Sequence, residues 1–271
     1  MKLSYEKLLC PIPIKLSIGS VRNHKLIEIA DILGFEQFNL YEMFLKMTPR
    51  IYYTKFKGDN GNKFWNNLSD ERKKDINMFS VVLEDESLQN LYLDIFNFFF
   101  VERVYFKDGI FVILKDGYEM TDELSLDDIR GAIFEDNFSQ VLYILQQVCC
   151  IDSDEDRDET PTKFKNKLAE KMYEKMKNAE REQKEQESKK NAVDMCIPNI
   201  ISKVSNNHPS INPINVWELT MFQLLDSFKC IQFTKAYGIN SIRCAVWGDE
   251  EKKFDAALWY HNQYDKGNSV E

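Results

Sequence analysis

The sequence predicts an α+β fold that is mostly helical: an N-terminal helical domain carrying a β-hairpin, a charged connector helix, and a small C-terminal helical module. Three observations lead there. Apolar residues recur at helical spacing over several long stretches. The clearest strand signal is concentrated at a single Asp-Gly turn between β-branched and aromatic runs. The 271 residues include nineteen Phe and twelve Tyr against ten Gly and seven Pro, a balance that suits long regular elements rather than a loop-built scaffold.

The elements follow in order along 1–150, the predicted N-terminal domain. Pro11, Pro13 and Gly19 keep the opening segment extended. From His24 to Met47, Leu26, Ile29, Ile32, Leu33, Tyr41, Phe44 and Leu45 mark a helical face, with a break at Gly34 and an end at Thr48-Pro49. Gly58-Asp59-Asn60-Gly61 reads as a turn. Ser69 is placed to cap a short helix, and a second helix is expected over 86–98. Val101–Phe106 and Ile110–Leu114 flank Lys107-Asp108-Gly109, a hairpin signal because the turn needs positive φ. Lys115-Asp116-Gly117 marks the exit turn, and Ser125 is expected to cap a further helix. Over 137–150, Phe138, Val141, Leu142 and Leu145 share one helical face.

The second region, 151–193, is a connector in which apolar content collapses. Residues 151–159 carry net charge -5 and should be solvated, whereas 160–193 carry +4. Thr160-Pro161 fits an N-cap followed by proline at the first helical position. Phe164, Leu168, Met172 and Met176 then repeat every four residues, and the stripe stops after Ala179. The third region, 194–271, is read as a helical module. Asn215 is the expected cap with Glu218 as its capping-box partner, ahead of a Trp217, Met221, Leu224, Leu225, Phe228 and Ile231 stripe, with Tyr237-Gly238 as punctuation. Ala245–Gly248 and Ala256–Tyr260 are two further aromatic-rich segments.

Composition excludes several functions. The net charge of -9 lacks the basic face that DNA phosphates require. No apolar run is long enough for a transmembrane helix, and no apolar core of a signal peptide follows the N-terminus. Six cysteines without a C-x-x-C spacing read as free thiols in a reducing compartment.

No catalytic motif emerges. Asp152-x-Asp154-x-Asp156 opens like a calcium loop, but Arg157 stands where glycine is needed and Lys163 where a bidentate glutamate is needed. The Cys149-Cys150 pair is most simply buried at a helix end, and His24, His208 and His261 lack partners at zinc spacing. There is no Gly-x-Ser-x-Gly elbow and no glycine-rich phosphate loop. The Lys-rich face of 163–190 is interrupted by six glutamates, so nucleic acid is not the expected partner. The expectation is a non-enzymatic chain without cofactor or metal.

Three strings bear a family likeness. KLSYEKLLCPIPI at residues 2–14, NVWELTMFQLLDSFK at 215–229 and SIRCAVWGDEEKKFDAALWYHN at 241–262 resemble the opening, C-terminal helix and closing strings of phage and prophage proteins of Gram-positive bacteria. Those proteins resemble siphophage tail assembly chaperones. The resemblance implies a factor in the host cytoplasm that binds the tape-measure protein, recruits the tail-tube protein and is absent from the mature virion. A minor structural tail protein is the alternative, and a phage regulatory or DNA-acting factor a third. Trp217, Phe228, Trp247 and Trp259 are the candidate partner-binding residues; each also suits a core. The sequence sets no oligomeric state.

Overall fold

The computed structural model describes residues 1–115, 117–118, 126–151, 195–248 and 254. It is α+β and mostly helical, with one two-stranded and one three-stranded antiparallel sheet among the described residues. The chain divides into two compact units. The described part of the first comprises 1–115, 117–118, 126–151 and Trp217–Asp226; that of the second comprises 195–216, 227–248 and Phe254.

The first unit opens with helix α1 (Tyr5–Leu9), whose N-cap Ser4 accepts from the Lys7 amide. The proline-containing stretch then forms a small hairpin, β1 (Ile14–Lys15) with β2 (Ser20–Val21), in the register Ile14 opposite Val21. Helices α2 (Leu26–Ile32) and α3 (Phe35–Leu45) follow, separated at Gly34, whose φ of +75° only glycine adopts readily. Thr48-Pro49 both closes the preceding segment and starts the next: Thr48 Oγ1 accepts from the Ile51 amide, and Pro49 begins α4 (Pro49–Ile51). A π-helical turn at Tyr52–Phe56 leads into α5 (Gly58–Asn67).

That helix corrects the expected turn at Gly58–Gly61. Gly58 keeps its positive φ at the helix start, while Gly61 lies inside the helix against the Tyr53 carbonyl and the Lys57 side chain. Its lack of a Cβ serves close packing onto the π turn.

Ser69 caps α6 (Asp70–Asp75), as the sequence predicts, and Asn77 caps α7 (Met78–Glu84) by accepting from the Ser80 amide. Asp85 in turn caps α8 (Glu86–Phe99). Strands β3 (Val104–Lys107) and β4 (Ile110–Leu114) form the predicted hairpin, with Asp108 and Gly109 both at positive φ. That is the pairing a tight two-residue turn demands.

The helix expected after Ser125 is not there. Ser125 lies outside the described residues, and a single 3-10 turn at Leu126–Asp128 leads instead into β5 (Ile129–Ile133). β5 completes the sheet in the order β3-β4-β5, pairing Phe111 with Ile133 and Val112 with Ala132. Local cap chemistry loses here to the unpaired edge of β4. Helix α9 (Glu135–Val148) follows, with Phe138, Val141, Leu142 and Leu145 buried as predicted.

The core is built around α8. Tyr92, Ile95, Phe96 and Phe99 are fully buried, with Phe100 just beyond them. Phe96 meets Phe111 at 5.0 Å, Phe138 at 6.0 Å and Phe100 at 6.3 Å, mostly edge to face. On another side of the helix, Phe98 and Phe99 pack against Phe38 and His24, the His24 ring lying 4.0 Å from Phe98. Burial holds His24 below its usual pKa, and its Nε2 donates to the Phe98 carbonyl at 2.6 Å. Tyr92 donates to the Phe44 carbonyl at 2.9 Å, which satisfies its buried hydroxyl.

Trp217–Asp226 packs within this unit. The Leu26 amide donates to the Leu219 carbonyl at 2.8 Å, and Lys25 pairs with Glu218 at 2.5 Å. Trp217 stacks on Phe35, Gln223 donates to the Leu9 carbonyl at 2.7 Å, and Tyr5 donates to Asp226 at 2.8 Å.

Two substitutions probe this packing. A Cβ at Gly131 would lie 2.6 Å from Ile18 Cα and 2.7 Å from the Ile18 carbonyl oxygen, both backbone. Gly131→Ala should therefore destabilise by about 1–3 kcal/mol in chemical denaturation, because backbone cannot step aside as a side-chain end can. The carboxyl of the half-buried Glu42 makes no hydrogen bond among the described residues, and burial pushes it from 4.5 up to about 7, with Lys46 offsetting only part. A raised carboxyl favours folding while protonated, so that contribution is complete below about pH 4.5 and fades as pH rises through 7. Glu42→Gln should thus exceed the parent in stability at pH 8, by on the order of 2 kcal/mol, and match it at pH 4. Melting curves across that range check the sign.

Candidate functional site

The second unit contains helix α10 (Ile197–Asn207), with Pro198 in its first turn and a buried face of Ile197, Ile200, Ile201, Val204 and Ser205. Past it, His208 Nδ1 accepts from the Ser210 and Ile211 amides and closes the turn. The Asn212 and Asn215 side chains fold the next few residues locally.

Helix α11 (Met221–Trp247) is 27 residues long. Its capping box is not Asn215 with Glu218. Thr220 Oγ1 accepts from the Gln223 amide, and Gln223 Oε1 accepts from the Thr220 amide. Asn215 serves the preceding loop, and Glu218 pairs with Lys25. Both strings satisfy the cap pattern; the tertiary demands on Glu218 select the later one.

The helix also runs straight through Tyr237-Gly238, where the sequence suggested a stop. Among the described residues, no atom outside the local helix backbone lies within 4 Å of a Cβ built at Gly238, so this glycine costs some helix stability without breaking the helix. Because the helix continues, it carries an apolar face that sequence reading missed. Ile239, Ile242 and Val246 are 70%, 65% and 64% exposed, and Trp247 beside them is 76% exposed. At 3.6 residues per turn, Phe228 and Val246 lie about five turns apart and point the same way, with Ile239 and Ile242 close to that line. The charged residues over 227–248 are Lys229, Lys235 and Arg243, with no acid among them. Lys235 also donates to Asn207 Oδ1 at 2.6 Å. The segment thus combines an exposed apolar line with cations only, Lys235 falling on the line itself and Arg243 and Lys229 to one side of it, in a chain whose net charge is -9.

The four sequence-derived contact residues separate. Trp217 is half-buried and stacked on Phe35, so it is a packing residue of the first unit. Phe228 is half-buried on the α11 stripe, and Trp247 is the most exposed of its apolar neighbours. Trp259 lies outside the described residues, as do the charged connector helix, the acidic 152–159 segment and Ala256–Tyr260.

Titratable clusters elsewhere are arranged for structure. Tyr52 donates to Asp85, and Lys57 reaches Asp85 at 2.9 Å and the Tyr52 hydroxyl at 3.1 Å. Those bonds from Tyr52 and Lys57 hold the Asp85 carboxyl down at about 2. Burial and Asp85 raise Tyr52, and Asp85 raises Lys57. Each shift stabilises the resting protonation state, the reverse of what a nucleophile or general base requires. Cys149 is buried, and burial pushes its thiol up, away from the reactive thiolate. Among the described residues, no group of three or more His, Cys, Asp or Glu could hold a metal ion, and no helix is long and apolar enough to cross a membrane.

Substitution separates the exposed face from the packing residues. Ile242→Ser and Trp247→Ser should change unfolding free energy by less than about 0.5 kcal/mol, as exposed positions do. Trp217→Ala should cost on the order of 2 kcal/mol, because it removes a half-buried ring. Denaturant titration of the three variants distinguishes these outcomes.

No curated protein and no solved structure matches the chain. Residues 184–263, under a third of its length, match a family model described as the YomV second domain, a phage-associated family. The exposed stripe of α11 falls within that span, so the similarity to a phage-associated domain attaches to the segment that carries the candidate contact face.

Proposed function

We propose that this chain is a non-enzymatic phage tail assembly chaperone, acting in the host cytoplasm, that holds the tape-measure protein by helix-to-helix contact and assists assembly with the tail-tube protein. The observation that carries this reading is the apolar stripe on α11, with Ile239, Ile242 and Val246 mostly exposed and Trp247 exposed at the end of the helix. A long amphipathic partner helix can cover such a stripe along several turns. The cations Lys229, Lys235 and Arg243, with no acid among them, favour a partner that carries acidic residues. The likeness of the terminal strings to tail chaperones supplies the partner, and the phage-associated match over 184–263 supports the setting. Shielding an apolar helix needs no chemistry, only a complementary face and a charged surface that keeps the complex dispersed.

Co-expression with a tape-measure protein tests this. The tape measure should remain in the supernatant and co-purify with the chain. An Ile242→Asp/Trp247→Asp variant should lose it while keeping the parent melting temperature. An insoluble tape measure with nothing co-purifying overturns the proposal. Detection of the chain by mass spectrometry in purified particles also overturns it, in favour of a minor tail component.

A further inference from the structure

A cleft of about 430 Å³ lies in the first unit, at the end of β2, along α8 and beside the start of β3. Its size is within the range of small-molecule sites, roughly 300–1,000 Å³. Two guanidinium groups line it, Arg22 and Arg103. Arg22 is fixed at the wall by one bond, Nη2 donating to the Val101 carbonyl at 3.0 Å. Its other donors, and the whole Arg103 side chain, have no partner among the described residues.

The remaining polar groups of the wall are committed. Glu102 is 3% exposed; Oε1 forms an ion pair with Arg130 Nε at 3.1 Å and Oε2 accepts from the Ser20 amide at 2.8 Å. Its charge is thus met by a third guanidinium. The Asn97 amide accepts from the Val104 amide and donates to the Val104 carbonyl, both at 2.9 Å, as a neighbouring strand would. The unspent capacity of the cleft is therefore two guanidinium groups, Arg22 anchored and Arg103 exposed, beside Tyr105 and an apolar wall of Leu93 and Val101.

We infer that this cleft binds a small phosphate monoester with an apolar or aromatic body. A phosphate monoester is close to a dianion at neutral pH, which matches two guanidinium groups, and its oxygens accept from their planar forks. A single carboxylate would leave one cation unmatched. The body of the ester would rest against Tyr105 and the aliphatic side chains. The site is separate from the α11 stripe, and its existence does not depend on the chaperone reading.

Isothermal titration of the full chain with phenyl phosphate, inorganic phosphate and succinate tests the assignment. Phenyl phosphate should bind saturably at one site. Arg103→Gln should weaken it about 10- to 100-fold, the loss of one charge-assisted contact, with the melting temperature of the free protein unchanged. Absence of saturable phenyl phosphate binding overturns the inference, as does unaltered affinity in Arg103→Gln. Equal affinity for succinate overturns it because the cleft then reads charge alone. Equal affinity for inorganic phosphate overturns it because the apolar wall then contributes nothing.

Discussion

The packing of aromatic rings around α8 is the constraint on which the first unit depends. Phe96 touches aromatic rings from β4, α9 and the end of its own helix, while Phe98 and Phe99 serve α3 and the segment after β2. Only a narrow face of α8, with Ser87, Asn90, Asp94 and Asn97, stays exposed, so the surrounding elements must cover the rest of the helix. Edge-to-face geometry makes that cover directional as well as apolar, and it fixes where the sheet and α9 sit relative to α8. The polar groups drawn into the core, Tyr92 and His24, find backbone carbonyls as partners, so the packing does not strand them.

The same unit gathers residues from distant parts of the chain. Gln147 on α9 accepts from the Leu3 amide and donates to the Met1 carbonyl, which ties the N-terminus to α9. Trp217–Asp226 adds a backbone bond to α2, a carbonyl bond to α1 and an ion pair at Lys25. Its exposed ion pair contributes little by itself. The buried Phe222 and Leu224, with the Trp217–Phe35 stack, provide most of the apolar contact there.

Function in this molecule divides by chemistry. The Tyr52–Lys57–Asp85 cluster of the first unit is held in its resting protonation state by its own hydrogen bonds, and the cleft of that unit is lined by two guanidinium groups. The second unit offers an exposed apolar helix face in a segment whose charged residues are all cations. The charge pattern thus differs sharply between the acidic whole and the local surfaces that would meet another molecule.

Much of the first unit was legible from short-range signals. The Asp108-Gly109 turn, the Gly34 break, the Ser69 cap and the α9 face each follow from chemistry within a few residues, and each is realised. The misreadings share a cause. β5, the Gly58–Asn67 helix, the uninterrupted α11 and the Thr220 capping box all depend on neighbours remote in sequence or on the choice between two valid local patterns. Trp217 and Trp247 look alike as aromatic residues in amphipathic segments, yet one is stacked in the first unit and the other is exposed. The cleft was invisible to spacing because Arg22 and Arg103 are 81 positions apart and lack a motif. By itself the sequence determined the mostly helical α+β class, the hairpin and the buried face of α9, because periodicity and turn chemistry are local. Only the tertiary structure decided which aromatic rings of α8 form the core and which apolar side chains of α11 stay exposed, because burial is a property of the whole packed chain.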